Sequence, residues 1–476
     1  MAKVIFILCA CGIFVSCNKK IEWVTTTPDI LWEQQDPVNI RFIKTDSVDA
    51  EIDISNPQQT IDGFGSCFNE LGWTSLGALD EADREAIMHE LFTPGFGANF
   101  TICRMPVGAN DFSRDWYSYN ETDGDFEMRN FSIDNDKETL IPFIRSALKY
   151  NPGIKLWASP WSPPTWMKTN NYYACKPSDD FFDARYHNDI KPEQIAGGEG
   201  TDQFIQDDAY LEAYALYFAK FIEAYRKENI PIFMVMPQNE FNSCQSFPSC
   251  TWLSSSLNRF VGRYLGHRMK EMGVEVMFGT MERPDPILVD TLLQDSESSR
   301  YITGVGFQWA GKKAIGTIHE NYPDLKIYQT EQECGNGRND WPGCCYSWTL
   351  LKHYLNNGAN AYEYWNTSLE EGGMSRWGWR QNSLVTVNRE DKTYKFTYEY
   401  YLLKHVSHYV LPGARFFPVR GTFDNLLAFQ NTNGSYVLVI QNDKETETDR
   451  VIKIGEQIIS ISLKPHSFNT LIIDNR

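Results

Sequence analysis

The sequence predicts an α/β fold in which a (β/α)8 TIM barrel carries an appended β-sandwich domain. Three observations point there. From about residue 60 to 405, short apolar runs alternate with amphipathic helix-like segments, the pattern of parallel strands joined by helical crossovers. The apolar runs number eight, the count of a closed barrel of this kind. After about residue 412 the chain instead alternates apolar and polar residues between turn signals, with no convincing helix, as a small antiparallel sheet domain does.

The candidate strands, in order, are TIDGFG (60–65), ANFTICRMP (98–106), IKLWASP (154–160), IFMVMPQ (232–238), VEVMFGT (274–280), ITGVGFQ (302–308), LKIYQTE (325–331) and ANAYEYW (359–365). Between them lie helical patterns such as EADREAIMHELF (81–92), LEAYALYFAKFIEAYRKE (211–228) and LNRFVGRYLGHRMKEM (257–272). The sandwich is expected from LLAFQNTNGSYVLVIQND and EQIISISLKPHSFNTLIID, joined by the alternating N-terminal stretch RFIKTDSVDAEIDISN (40–55). The expected organisation is a signal over 1–16, a linker and N-terminal sandwich strands over 17–58, the barrel over 59–407 and the C-terminal sandwich over 408–476.

The N-terminus, MAKVIFILCACGIFVSCNKK, sets Lys3 before an apolar run from Val4 to Val15 that is too short to span a bilayer comfortably. It reads as a secretory signal. Ser16 before Cys17 predicts lipoprotein processing with Cys17 as the lipidated residue, so the protein is expected to be exported and lipid-anchored in a bacterial cell envelope, at the outer membrane. Export permits disulfides, and short spacing suggests Cys244 with Cys250 and Cys334 with Cys344 or Cys345. A zinc site is the rival reading; the spacings do not match one and no His sits nearby, so no metal site is expected.

The formal net charge of −18, with no Lys/Arg run, repels phosphate backbones and argues against nucleic acid as a partner. Fourteen Trp leave two readings open: ordinary packing, or indole faces that stack on the C–H face of a sugar. Nothing in the sequence sets the oligomeric state.

In such a barrel the strand bodies are core, and the residues just past their C-terminal ends form the functional face. The fourth strand runs up to Asn239-Glu240 and the seventh to Thr330-Glu331. About ninety residues separate the two acids, the length of three strand–helix units in a barrel of about 250 residues. Two carboxyl groups facing one another across a sugar-sized pocket are the minimum equipment for cleaving a glycosidic bond: one protonates the leaving oxygen, the other attacks or activates water. The bland alternative is two surface acids that happen to follow apolar runs. Asn239 favours the first reading, because an amide beside the acid can hydrogen-bond a sugar hydroxyl. The second strand offers Arg104, either a buried structural cation or a brace for a carboxylate, and then Asp111. The third ends in SPWSPPTWMKTN, whose prolines exclude helix and present Trp161 and Trp166 on a stiff loop; the sixth ends in Gln308-Trp309 and the eighth in Trp365-Asn366.

These segments resemble glycoside hydrolase family 30, the group of glucosylceramidases and β-glucanases. The likeness is carried by ICRMPVGANDFS (102–113), DGDFEMRNFSI (123–133), ASPWSPPTWMKTN (158–170), PQNE (237–240), TEQEC (330–334) and YEYWNT (362–367). The resemblance implies a barrel fused to a β-sandwich and a retaining double displacement without cofactor. It implies Glu240 as general acid/base and Glu331 as nucleophile, with Arg104, Asp111, Trp161, Asn239, Trp309 and Trp365 as sugar-binding and supporting residues. Two departures stand out. Gln308-Trp309-Ala310 replaces the His-Trp-Tyr of the glucosylceramidase-like pattern, which removes an aromatic hydroxyl and puts the orientation of the nucleophile and the aglycone subsite in question. Glu333 offers a second acid two residues beyond Glu331; Glu331 is preferred because it directly follows the strand.

The expected activity is therefore retaining hydrolysis of a β-glucosidic bond in an oligo- or polysaccharide such as a β-1,6-glucan, or in a glucosylceramide-like β-glucoside. The alternatives are a β-fucosidase, β-galactosidase or β-xylosidase on the same barrel, or a glycan-binding lipoprotein without catalysis.

Overall fold

The computed structural model describes residues 20–39 and 47–474, so the expected signal, the expected lipidation site Cys17 and residues 40–46 of the N-terminal stretch lie outside the described residues. Eight parallel strands form one sheet: β1 (Gly63–Ser66), β2 (Ile102–Pro106), β3 (Lys155–Ser159), β4 (Ile232–Val235), β5 (Glu275–Met281), β6 (Ile302–Gln308), β7 (Lys326–Glu331) and β8 (Ala361–Tyr364). Each falls on one of the apolar runs: β6 matches its run, β1 and β5 reach one residue past theirs, and the others are shorter than theirs. Their order around the sheet follows the chain, and β8 pairs back onto β1. Closure between β1 and β2 rests on the amide of Thr101 donating to Phe64 O at 3.0 Å and that of Phe68 to Arg104 O at 2.8 Å. Gly65 makes the closure possible: a Cβ there would stand 1.6 Å from the carbonyl oxygen of Ile102.

Inside the barrel, Ile102, Trp157, Met234, Met236, Met277, Tyr328 and Ala361 fill the lumen, so the strand bodies are a packed core and chemistry is confined to their ends. Outside it, apolar helix faces cover the strands. Helix Glu81–Phe92 starts where Asp80 accepts from the amide of Asp83, and the long helix Asp208–Lys227 starts where Asp207 accepts from Ala209. The expected helix over 257–272 is interrupted: a π-helical stretch, Val261–Leu265, separates Ser254–Phe260 from Gly266–Glu271.

The β-sandwich packs two sheets over a core that includes Ile52, Leu438, Ile452 and Leu471. One sheet holds Arg415–Phe417, Leu426–Gln430, Tyr436–Asn442 and Ser467–Ile473 and continues through the N-terminal strand Lys20–Thr26, which pairs antiparallel to Ser467–Ile473. The other contains Ala50–Ile52 between Val419–Gly421 and Thr448–Ile454, followed by Gln457–Leu463. Both flanks of the barrel thus contribute strands. One unit was not anticipated: after β8 the chain forms a small sheet of Ser368–Glu370, Val385–Asn388 and Thr393–Phe396, with a hairpin over 371–381 rising from it.

Candidate active site

Strand β4 ends at Val235, and five residues later Glu240 sits at φ 47, in the left-handed region that a residue with a Cβ rarely occupies. The turn is fixed from both sides. The amide of Asn239 donates to Pro160 O at 2.7 Å and that of Glu240 to Thr280 Oγ1 at 2.9 Å, tying the end of β4 to those of β3 and β5. Trp309, just past β6, has φ 46. Two residues held in this sparsely populated conformation at one rim mark a place where the surrounding structure over-determines the backbone.

Glu240 and Glu331 converge on a single cavity of about 320 Å³, whose wall also includes Asp111, Trp161, Trp309 and Trp379. A larger cavity of about 620 Å³, between Leu31, Arg338, Lys395 and Tyr398, carries one carboxylate only, Glu371, and no pair. The catalytic candidates are joined by Gln308. Its Nε2 donates to Glu240 Oε1 at 3.0 Å and to Glu331 Oε2 at 3.2 Å. Two oxygens that share one donor at those distances are at most about 6 Å apart, closer than inverting carboxyl pairs, which stand about 6.5–9.5 Å apart.

The two acids differ in their partners. Glu331 Oε2 accepts from Arg104 Nη1 at 2.9 Å and from Gln308, while Oε1 accepts from Trp309 Nε1 at 2.9 Å. Its carboxyl stays above the usual range because burial outweighs the opposing Arg104 charge and the Trp309, Arg104 and Gln308 donors. Glu240 has Gln308 alone on Oε1, and its Oε2 has no protein partner. Burial first, and then the Glu331 charge, push Glu240 up to about 8. Asp111 is raised well above the usual carboxylate range by burial and by Glu331; its Oδ2 accepts from Trp365 Nε1 at 3.3 Å and its Oδ1 has no protein partner.

Arg104 answers both readings of it at once. It is fully buried and it braces carboxylate and amide together, with Nη2 donating to Asn239 Oδ1 at 2.7 Å and to Ser159 Oγ at 2.9 Å. Its guanidinium lies 4.3 Å from the Trp161 ring centroid and 5.7 Å from that of Trp365. Asn239 Oδ1 also accepts from Gln308 Nε2 and Thr280 Oγ1.

Several expectations change. Trp365 is fully buried beneath the rim and does not line the cavity; it supports the site from below, stacked at 5.1 Å on Trp161 and donating to Asp111. Trp166 lies in a short 3-10 turn, Thr165–Met167, despite the prolines; its indole donates to Asn120 O and packs on Phe126 and Tyr210, away from the cavity. The aromatic hydroxyl missing after β6 leaves Glu331 well oriented, because Trp309, Arg104 and Gln308 hold it. Glu333 is drawn off to Lys312 and to the Tyr346 hydroxyl. The expected disulfides are not formed: all eight described cysteines are free thiols. The chain after Glu240 folds back so that Cys244 hydrogen-bonds Cys175, not Cys250, and the Cys334 thiol turns onto Gln332 O at 2.9 Å. Sequence reasoning missed Phe247, Glu282 and Trp379 on the cavity wall. They sit on loops without periodicity, and only the density of Trp in 365–379 hinted at one of them.

The matches to known sequences agree with this geometry. The model of the glycosyl hydrolase family 30 TIM-barrel domain matches residues 61–189 and 181–410, and that of the family 30 β-sandwich domain matches 424–471. The chain belongs to glycosyl hydrolase family 30. This family 30 member is an O-glycosyl hydrolase. It is 27% identical to putative glucosylceramidase 1 of Caenorhabditis elegans, over 82% of the chain and 75% of the worm protein. It is 24% identical to an endo-1,6-β-D-glucanase of Neurospora crassa, over 82% of the chain and 80% of the fungal enzyme. A solved endo-β1,6-glucanase superposes with a TM-score of 0.80 at 25% identity, covering 96% of the chain and all of that structure.

Proposed function

We propose that this hydrolase is a retaining β-glycosidase acting on β-glucosidic bonds, with Glu331 as nucleophile and Glu240 as acid/base. The observation that carries the reading is the shared donor: one amide nitrogen of Gln308 in hydrogen-bond contact with both carboxyl groups. In the first step Glu331 attacks the anomeric carbon, the bond to the leaving oxygen breaks, and the proton of Glu240 passes to that oxygen. In the second, Glu240 takes a proton from water, the water oxygen replaces Glu331 at the same carbon, and two inversions leave the β configuration retained. The donor sets support this division of roles. Three donors favour the ionised form of Glu331, whereas Glu240, raised to about 8, holds its proton at neutral pH.

A β-glucan, β-1,6-linked among others, is the substrate favoured by the names of the fungal relative and the solved glucanase. Hydrolysis of a panel of aryl β-glycosides separates glucosidase from fucosidase, galactosidase and xylosidase activity, and proton NMR of the first-formed product reads its anomer. The β anomer is expected; the α anomer excludes the mechanism. Glu331→Gln should abolish turnover and leave sugar binding measurable, and Glu240→Gln should lower kcat/KM by about 10²–10⁴ on substrates with poor leaving groups. Unchanged turnover in either variant would remove that residue from its role.

A further inference from the structure

The cavity has two unlike ends. At the inner end Asp111 and Trp161 meet over the buried Trp365. Toward solvent stand the half-buried Trp379, Phe247 and Gln245 and the exposed Arg380, and the buried Glu282 also lines the cavity. Phe247 lies on the loop that begins at Glu240, the group that protonates the departing oxygen, so this side of the cavity faces the leaving group. From there an aromatic line runs outward. Trp379 meets Phe247 at 6.0 Å and Phe182 at 5.0 Å, both nearly at right angles, and Phe182 touches Phe181 at 4.2 Å, which is 77% exposed.

The indole is carried on a firmly closed hairpin. Met374 and Arg380 form its bridge, the amide of Ser375 donates to Trp379 O at 2.7 Å, and the amide of Trp379 donates to Ser375 Oγ at 3.0 Å. At its base the amide of Gln381 donates to Gly373 O at 2.9 Å. At its tip Gly378, φ 92, leaves no room for a Cβ against the Phe182 ring. A ring held this way presents area at little cost in side-chain entropy.

We propose that Trp379, with Phe247, is the platform for a sugar ring on the leaving-group side, making Trp379 a specificity-determining residue for saccharide aglycones; this rests on the roles assigned above to Glu240 and Glu331. An indole stacks on the C–H face of a pyranose, and Gln245, Glu282 and Arg380 around it offer both donors and acceptors for its hydroxyl groups. An alkyl aglycone in the same place would strip water from those three polar groups and return no hydrogen bonds.

The test compares kcat/KM on a β-linked glucose disaccharide, on β-glucosyl fluoride, whose leaving group carries no sugar, and on octyl β-glucoside. Trp379→Ala should lower the disaccharide-to-fluoride ratio about ten-fold, with the change in KM, and Trp379→Phe should restore part of it. Equal losses on disaccharide and fluoride would make Trp379 a structural residue, and no change in the ratio would remove it from the subsite. A loss confined to octyl β-glucoside would make the platform a lipid site. Each of these overturns the proposal. If the unaltered enzyme turns over none of the three glucosides, the reading of the function fails first, and this inference falls with it.

Discussion

Gln308 is the side chain on which the two carboxyl groups depend together. Its orientation is fixed by its other end, since Oε1 accepts from Thr330 Oγ1 at 2.9 Å and from Arg104 Nη1 at 3.3 Å, which turns Nε2 toward Glu240 and Glu331. That donor lowers the pKa of both acids against the upward push of burial. The wild-type profile of kcat/KM should therefore be bell-shaped, with activity lost at high pH as Glu240 gives up its proton at about 8 and at low pH as Glu331 becomes protonated. Gln308→Leu removes a donor from both carboxylates, so both limbs should move to higher pH, and kcat should fall by up to about 10²-fold as the pair loses its register. A profile that keeps its limbs in place would show that Gln308 only packs. The sequence put Gln308 at the end of the sixth strand, yet its role was illegible there. The loss read from the sequence lay two residues on, at Ala310, and gave no hint that the two carboxylates share the amide of Gln308.

At the scale of elements, the strands and the long helices were legible and the rim loops were not, for a physical reason. A strand buried on both faces must be a continuous apolar run, and Ile232–Val235 or Ile302–Gln308 could be little else once eight such runs were counted. The acids followed, because the end of such a run lies at the rim: Glu331 is the last residue of β7, and Glu240 comes five residues after β4. The 371–381 hairpin leaves no comparable trace: its Gly-Gly start and the sequence MSRWGWR alternate with neither period, and its fold depends on contacts with distant loops such as that of Phe182. Gly373 is its most constrained point, at φ 57 with any Cβ 1.7 Å from Gln381 O. Gly373→Ala should cost about 1–3 kcal/mol of stability, measured as the urea midpoint, because the backbone must leave the left-handed region or spread the hairpin. It should also impair hydrolysis of the disaccharide, since Trp379 rides on that hairpin. A variant of unchanged stability would mean that the hairpin opens freely.

Across the whole molecule, barrel and sandwich meet at His405, on the barrel helix Tyr398–Ser407. The ring is fully buried, and its two nitrogens pair with Thr470 Oγ1 and Thr26 Oγ1, both at 2.9 Å, on the two adjacent strands contributed by opposite ends of the chain. Burial, reinforced by the neighbouring Lys404 charge, holds its pKa down to about 3, so the folded protein keeps it neutral. An unfolded chain protonates the same ring near about 6.5. As pH falls below that value the unfolded state gains a proton that the folded state refuses, and the stability due to neutral His405 drains away by up to about 1.4 kcal/mol per pH unit, down to the folded pKa. Buried acids pull the other way. Asp136 is raised by burial to about 7 and Glu363 to about 8, so each favours the fold less as pH rises. Those contributions are common to the wild type and to His405→Gln, and cancel in the difference between them. The urea-measured stability advantage of the wild type over His405→Gln should therefore shrink by about 2 kcal/mol between pH 7 and pH 5. An advantage that stays constant over that interval would show that the ring takes up its proton as readily in the fold as outside it, and that the junction between the two domains does not exclude water from His405.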